Sequence, residues 1–585
     1  MKKLLSILLL TLVLVLSACS TKNDKFLTSL SITGPKDLYL MTGNSHNLLN
    51  GVKALGSNNK SYLDDLEISS DNCSLQGNII SSSQEVDCVI DYHLSINDIS
   101  VSKSIVISFR EEISLEKIEA FNSLRIYQIY VSAYKSGQDI GYTYGYGPSN
   151  HNGDLQGIIN SLDYIKSLGM NAIWLTPIFE SKEFPTTSEF EIRGRSTGYF
   201  ADDYFNIDPN FGTNELFKTL VDEAHSLGLY VFLDGVFGHH GYHSIEGVVD
   251  GRKQWYGYET IYPESLDFFI EVATYWIDEY GIDGWRMDQA YQLFQNNYNY
   301  FREIRKAIED ISNERKARGE EWGTLGYVVA EIWDNQNNIQ KYAYDQSAFR
   351  SAFDFPVRLQ LVRALAVDEY NNSSSLRNLA NAMNYSYSDF AQQNLFITNH
   401  DTIRFGDLLQ IAGLEHEYYQ RHKLALSFLA QYTGPITVYY GDEYGDQFDG
   451  LSTNTSELNQ YPYIAIDNVA RTNGRVDDFT EEQTDLINYL RFLMNLRENN
   501  EALFNGSREN LYVDDNLYVD LKTTENNQVL FIMNISNSVE YVTIDTSKFN
   551  GNELINLFDD SVLYIEGDTI TLEIDSLTSI FFLVN

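Results

Sequence analysis

From about Leu115 onward the sequence alternates strand-like apolar runs with helical stretches: RIYQIYV precedes LQGIINSLDYIKSLG, NAIWLTPIF precedes NELFKTLVDEAHSLG, and LYVFLDGVF follows. Strands linked through helices run parallel, so repeating the unit builds a parallel sheet. Candidate strands near Ile126, Ile173, Val231, Trp285, Val329, Phe353, Phe396 and Val438 make eight such units. Eight close into a (β/α)8 TIM barrel, an α/β fold whose functional groups sit at the carboxyl ends of the strands. The barrel is expected over 115–500, with a very short excursion at 241–263 after the third strand.

The flanks have a different texture. Residues 27–112 carry short alternating runs such as LTSLSITG, DLEISSD and SKSIVISF between Asn, Gly, Ser and Asp, which predicts an immunoglobulin-like β-sandwich. It holds no Trp, which favours a spacer or weak binding module over a strong glycan binder. Residues 501–585 return to strands (NLYVDLK, QVLFIMN, YVTIDT, TITLEID, SIFFLVN) and predict a C-terminal β-sandwich. Residues 1–19 begin with two lysines and an apolar run, the layout of an export signal. Its end, Leu16-Ser17-Ala18-Cys19, resembles the bacterial lipobox, which implies lipidation at Cys19, a tether at 20–26 and anchoring to the bacterial cell membrane or cell surface. In an exported chain Cys73 and Cys88 are spaced for a bridge across a strand pair, contributing about 3 kcal/mol. Two buried free thiols are the alternative.

With 41 Lys plus Arg against 82 Asp plus Glu, the formal charge of -41 repels nucleic acid and anionic headgroups and points to a neutral substrate. The 41 Tyr and 32 Phe offer rings of the kind that sugar clefts use for stacking, although most will be core.

Polar groups collect where the predicted strands end: His239 after the third, Arg286 and Asp288 at the fourth, Glu331 after the fifth, His400 and Asp401 after the seventh. The stretches are DGVFGHH (Asp234 to His240), GWRMDQA (Gly284 to Ala290), AEIWD (Ala330 to Asp334) and TNHD (Thr398 to Asp401), with GYFADDYFNIDPNFGT (Gly198 to Thr213) after the second strand. In this order they resemble the motifs of the α-amylase family of glycoside hydrolases, over about Ile126 to Arg497. The resemblance implies Asp288 as nucleophile, Glu331 as general acid and then base, and Asp401 as transition-state stabiliser. It implies that His239 and His400 bind sugar hydroxyls, that Tyr199 stacks on the sugar, and that Asp203 and Asp234 support the architecture. Arg286 lies two residues before Asp288 on one strand face, where its charge is expected to lower the Asp288 pKa. Glu331 needs desolvation to hold its proton, for which Ile332 and Trp333 are apolar neighbours. Arg404 is left between two roles, sugar contact and pairing with Asp401. A retaining pair of carboxyl groups lies roughly 5 to 5.5 Å apart.

Three departures matter. Gly238 stands where the family usually has a calcium-binding Asn, and the excursion that supplies further ligands is short, so calcium is doubtful and no other cofactor is implied. Gln289-Ala290-Tyr291-Gln292 lacks the Lys-His pair common after the nucleophile. Loops 135–152 and 180–197, and Trp255 with Tyr256, are candidates to shape the cleft instead. The expected activity is retaining hydrolysis of α-1,4-linked starch-like chains or maltodextrins. The alternatives are a transglycosylase or disaccharide-active relative, and a catalytically silent glycan-binding lipoprotein.

Overall fold

A computed structural model describes residues 26–138, 141, 145, 147–149, 151–181, 194–241, 252–253, 258–448 and 469–585. The export signal with Cys19, residues 20–25 of the tether, Trp255, Tyr256, most of the 180–197 loop and part of the 135–152 loop lie outside these residues. The chain divides into two compact units, one of Met1–Ile113 with Asn296–Tyr298 and one of Ser114–Gln295 with Asn299–Asn585.

The first unit is all β. Its longest strands, Val86–Ile96 and Ile99–Arg110, form an antiparallel hairpin, with Asn97 at the turn in the left-handed region (φ 55°) that Asn tolerates. Alternation along the first strand buries Cys88, Ile90, Tyr92 and Leu94, which pack with Ile80, Ile107 and Phe109 in one core. Cys88 points into that core and is bonded to Cys73 across a Cα separation of 5.6 Å, so the thiol alternative is set aside.

The second unit is the barrel with the C-terminal strands. Its staves are β1 (Arg125–Ile129), β2 (Ala172–Leu175), β3 (Tyr230–Gly235), β4 (Gly284–Met287), β5 (Tyr327–Ala330), β6 (Ser351–Ala352), β7 (Leu395–Phe396) and β8 (Ile436–Tyr439). They pair in parallel in the order β6-β5-β4-β3-β2-β1-β8-β7, and a single parallel bridge between Phe353 and Asn394 closes the circle. Ile126, Trp174, Phe232, Val329, Phe353 and Phe396 belong to one buried cluster, so the interior is packed rather than hollow.

The outer helices follow the expected signals. Asn214–Ser226 starts where the Thr213 hydroxyl accepts from the Leu216 N–H, and buries Phe217, Leu220, Val221 and Ala224 at helical spacing. Leu266–Tyr280 stops at Gly281, whose φ of 78° glycine adopts without strain. Ser507–Val513, Leu517–Thr523, Gln528–Asn534 and Thr578–Val584 belong to a six-stranded antiparallel sheet, and Phe428 of the helix Tyr418–Gln431 packs on Tyr518 at 5.5 Å.

Candidate active site

Register assembles the mouth. Asp234 of β3 lies opposite Arg286 of β4, and Asp288 sits two residues further along the same face. Glu331 follows β5 directly, with its N–H bonded to the Met287 carbonyl at 2.9 Å. The Arg286 guanidinium is fully buried, with Nη1 2.7 Å from Asp234 Oδ1 and 2.9 Å from Asp288 Oδ1, while Nη2 is 2.7 Å from Glu331 Oε1. One fixed cation thus serves three carboxyl groups.

That ratio corrects the expectation for Asp288. Burial raises its pKa, as does the Asp401 charge, and the opposing pull of Arg286 is too widely shared to reverse the shift. Glu331 is raised as well, first by burial and then by the charges of Asp288 and Asp401. The carboxyl and the neighbouring Ile332 are buried, whereas Trp333 is 53% exposed. Trp333 stacks on Phe355 at 5.1 Å and lines a cleft of about 610 Å³ with Asp334, Arg358 and Tyr370. Glu331 Oε2 accepts from the Gln289 N–H at 3.0 Å, and Gln289 is held at φ 39°. Asp288 Oδ2 is buried yet makes no hydrogen bond, leaving one carboxylate oxygen available for attack.

Asp401 is the more open carboxylate, its side chain 31% exposed. Burial would raise its pKa, but His400, Arg471 and Arg286 outweigh that and hold it well below the usual range. His400 Nε2 is 3.0 Å from Asp401 Oδ2, and Arg471 Nη2 is 2.7 Å from Oδ1 while its Nε donates to the His400 carbonyl at 3.0 Å.

Arg404 takes neither role considered for it. It is fully buried, pairs with Asp446 at 3.0 Å, donates to the Tyr440 carbonyl at 2.8 Å and lies over the Tyr439 and Tyr440 rings. The helix Phe405–Ile411 begins directly after it, and the cation beside Asp401 arrives instead from Arg471, 70 residues along the chain. No local pattern around Arg471 marks it.

The Tyr199 ring lies parallel to His400 at 5.5 Å, and its hydroxyl donates to Asp234 at 2.9 Å and meets His400 Nε2 at 2.7 Å. Tyr130 stacks on the same imidazole at 5.5 Å. His239 is buried, with Nε2 3.2 Å from the Tyr199 carbonyl and Nδ1 3.5 Å from Gln292 Oε1, and burial lowers its pKa to about 4, so it is neutral. His240 Nδ1 faces the Gly241 carbonyl at 2.8 Å. Asp203 accepts from the Phe205 N–H at 2.9 Å and from Asn206 Nδ2 at 3.0 Å, bracing its own turn.

At Gly238 a Cβ would lie 1.7 Å from Gln292 Oε1 and 2.7 Å from Gln292 Cβ. The Gln292 side chain therefore fills the space an Asn would take. Among the described residues no group of three His, Cys, Asp or Glu is arranged to hold a metal ion.

The family description "Alpha amylase, catalytic domain" matches residues 128–256 and 255–471. A cyclomaltodextrinase of Geobacillus thermopakistaniensis is 28% identical over 458 residues, covering 72% of this chain and 68% of its own. An intracellular maltogenic amylase of Bacillus subtilis is 27% identical, covering 69% of this chain and 65% of its own. Among solved structures, AmyP in complex with maltose is 40% identical with a TM-score of 0.74, covering 80% of this chain and 97% of that one.

Proposed function

Since the chain belongs to the alpha-amylase family, whose catalytic domain spans the barrel and its strand-end carboxylates, we propose that it is a retaining hydrolase of α-1,4-glucosidic bonds in starch-like chains or maltodextrins. The chain is an O-glycosyl hydrolase. Maltose bound to the related AmyP, and the activities named for the cyclomaltodextrinase and maltogenic amylase, support an α-glucan substrate.

The observation that carries the mechanism is the single guanidinium shared by Asp288 and Glu331. Two carboxyl groups on the terminal nitrogens of one Arg286 fit the roughly 5 to 5.5 Å of a retaining pair better than the wider gap that admits a water in inversion. In the proposed sequence Asp288 Oδ2 attacks the anomeric carbon while Glu331 gives its proton to the leaving oxygen. Glu331, now ionised, then takes a proton from water as that water displaces Asp288. Asp401, kept anionic by Arg471, faces the positive charge that develops on the sugar ring. Asp234 braces Arg286, and His400, Tyr199 and His239 form the wall against which the sugar would sit.

Asp288→Asn keeps the shape and removes the nucleophile, and turnover of soluble starch is expected to fall by about 10⁴-fold or more. Intact turnover would sink the mechanism. Product analysis with maltotriose, pullulan, sucrose and trehalose, following the anomer by NMR, separates hydrolysis from transfer and from disaccharide activity; an inverted first product would refute retention.

Lipid anchoring through Cys19 and an exported location belong to the same proposal, and the Cys73–Cys88 bond supports them because such bonds persist in oxidising compartments. Mass spectrometry of the mature N-terminus tests this: an unmodified Cys19 retained in the chain would refute it. We place calcium outside the proposed mechanism, because Gly238 contributes no side-chain oxygen and Gln292 occupies the adjoining space.

A further inference from the structure

Gln128, the fourth residue of β1, is fully buried inside the barrel, with Nε2 2.7 Å from His400 Nδ1 and no hydrogen bond to its Oε1. The other ring nitrogen defines what this contact means. Asp401, paired with Arg471 at 2.7 Å, is an ionised carboxylate and can only accept, so His400 Nε2 at 3.0 Å has to carry a proton. Tyr199 imposes the same requirement, since its hydroxyl gives its proton to Asp234 and meets Nε2 at 2.7 Å as an acceptor. Two states of the imidazole satisfy both, the neutral ring with a bare Nδ1 and the imidazolium. An amide N–H facing Nδ1 fits only the first.

We propose that Gln128 is a positioning residue that holds His400 neutral: its amide N–H keeps Nδ1 bare, while the proton on Nε2 stays directed into the catalytic mouth. The groups facing the ring agree with this. Asp401 alone favours the cation, Arg286 and Arg471 oppose it, and Tyr130, Tyr199 and the edge of Trp174 enclose it without charge at neutral pH. A neutral ring still donates to Asp401. It adds no third cation beside Arg286 and Arg471 where positive charge builds up on the sugar, a consequence that rests on the function proposed above.

The test uses the full chain and two isosteres, Gln128→Met, which cannot donate, and Gln128→Glu, which accepts from Nδ1. The His400 ring signals are followed by ¹⁵N NMR, assigned by their loss in His400→Gln. In the unmodified protein Nε2 is expected to be protonated and Nδ1 bare from about pH 5 to 8. Gln128→Glu is expected to stabilise the imidazolium and to move the acid limb of kcat/KM upward by about one pH unit. Gln128→Met is expected to let the imidazolium appear at a higher pH than in the unmodified protein and to lower kcat about tenfold with KM changed less than twofold. A proton on Nδ1 in the unmodified protein would overturn the proposal, as would ring signals unaltered in either variant. The NMR reading is made without substrate, so it fails or succeeds separately from the hydrolase reading.

Discussion

Asp288 and Glu331 are pushed in the same direction by burial, yet the reaction needs one ionised and the other protonated. In the unmodified protein, with His400 neutral, the limbs of the pH profile belong to this interacting pair. Raised groups shift both limbs upward: activity appears as pH rises through the value at which the first proton leaves, and disappears when the second leaves Glu331. The acid limb of kcat/KM is therefore expected above about pH 4, the ordinary range of a free aspartate. A limb at or below that value, in rates measured across pH, would contradict the burial account. These residues were legible because each sits at a strand end inside a continuous motif. Arg471 was not, since its partner lies 70 residues away in the chain and only the folded barrel joins them. Arg404, three residues from Asp401, is a candidate for sugar contact or for pairing with Asp401 from the sequence, but it is spent on Asp446 and two tyrosine rings.

At the scale of elements, the β3 and β4 extensions interlock through Gly238 and Gln292. The absence of a side chain at Gly238 could be read from the sequence, but its cause could not, because Gln292 belongs to another motif. A methyl group at Gly238 meets Gln292 Cβ as well as the movable amide, so Gly238→Ala is expected to cost about 1–3 kcal/mol. In a double-mutant cycle on thermal stability, Gln292→Gly should recover much of that loss. Additive costs would show that the two do not share the space. Treatment with a chelator bears on the same site, and a loss of activity that calcium restores would contradict a mechanism without the ion. Strand positions were largely visible as apolar runs flanked by turn residues, whereas the exposure of Trp333 was not, since an apolar residue beside a buried carboxyl gives no sign of which way it faces.

For the whole molecule, periodicity foretold the architecture because eight βα units have few ways to bury their shared faces. The net charge of -41 is compatible with a neutral sugar substrate and with repulsion from anionic polymers. β6 and β7 are two residues each and meet through one bridge, while β1 to β4 pair over four residues apiece with their neighbours. The barrel therefore has a seam, and transient opening should begin there, where the fewest backbone bonds must break together. Native-state hydrogen exchange is expected to show weaker protection at Asp354 and Asn394, whose N–H groups bond across the seam, than along β2 and β3. Equal protection would mean that side-chain packing, and not strand pairing, fastens the circle. Because β7 leads straight to His400 and Asp401, each breath of the seam would be felt first at the stabilising side of the site, while the pair held by Arg286 stays on the firmer half of the ring.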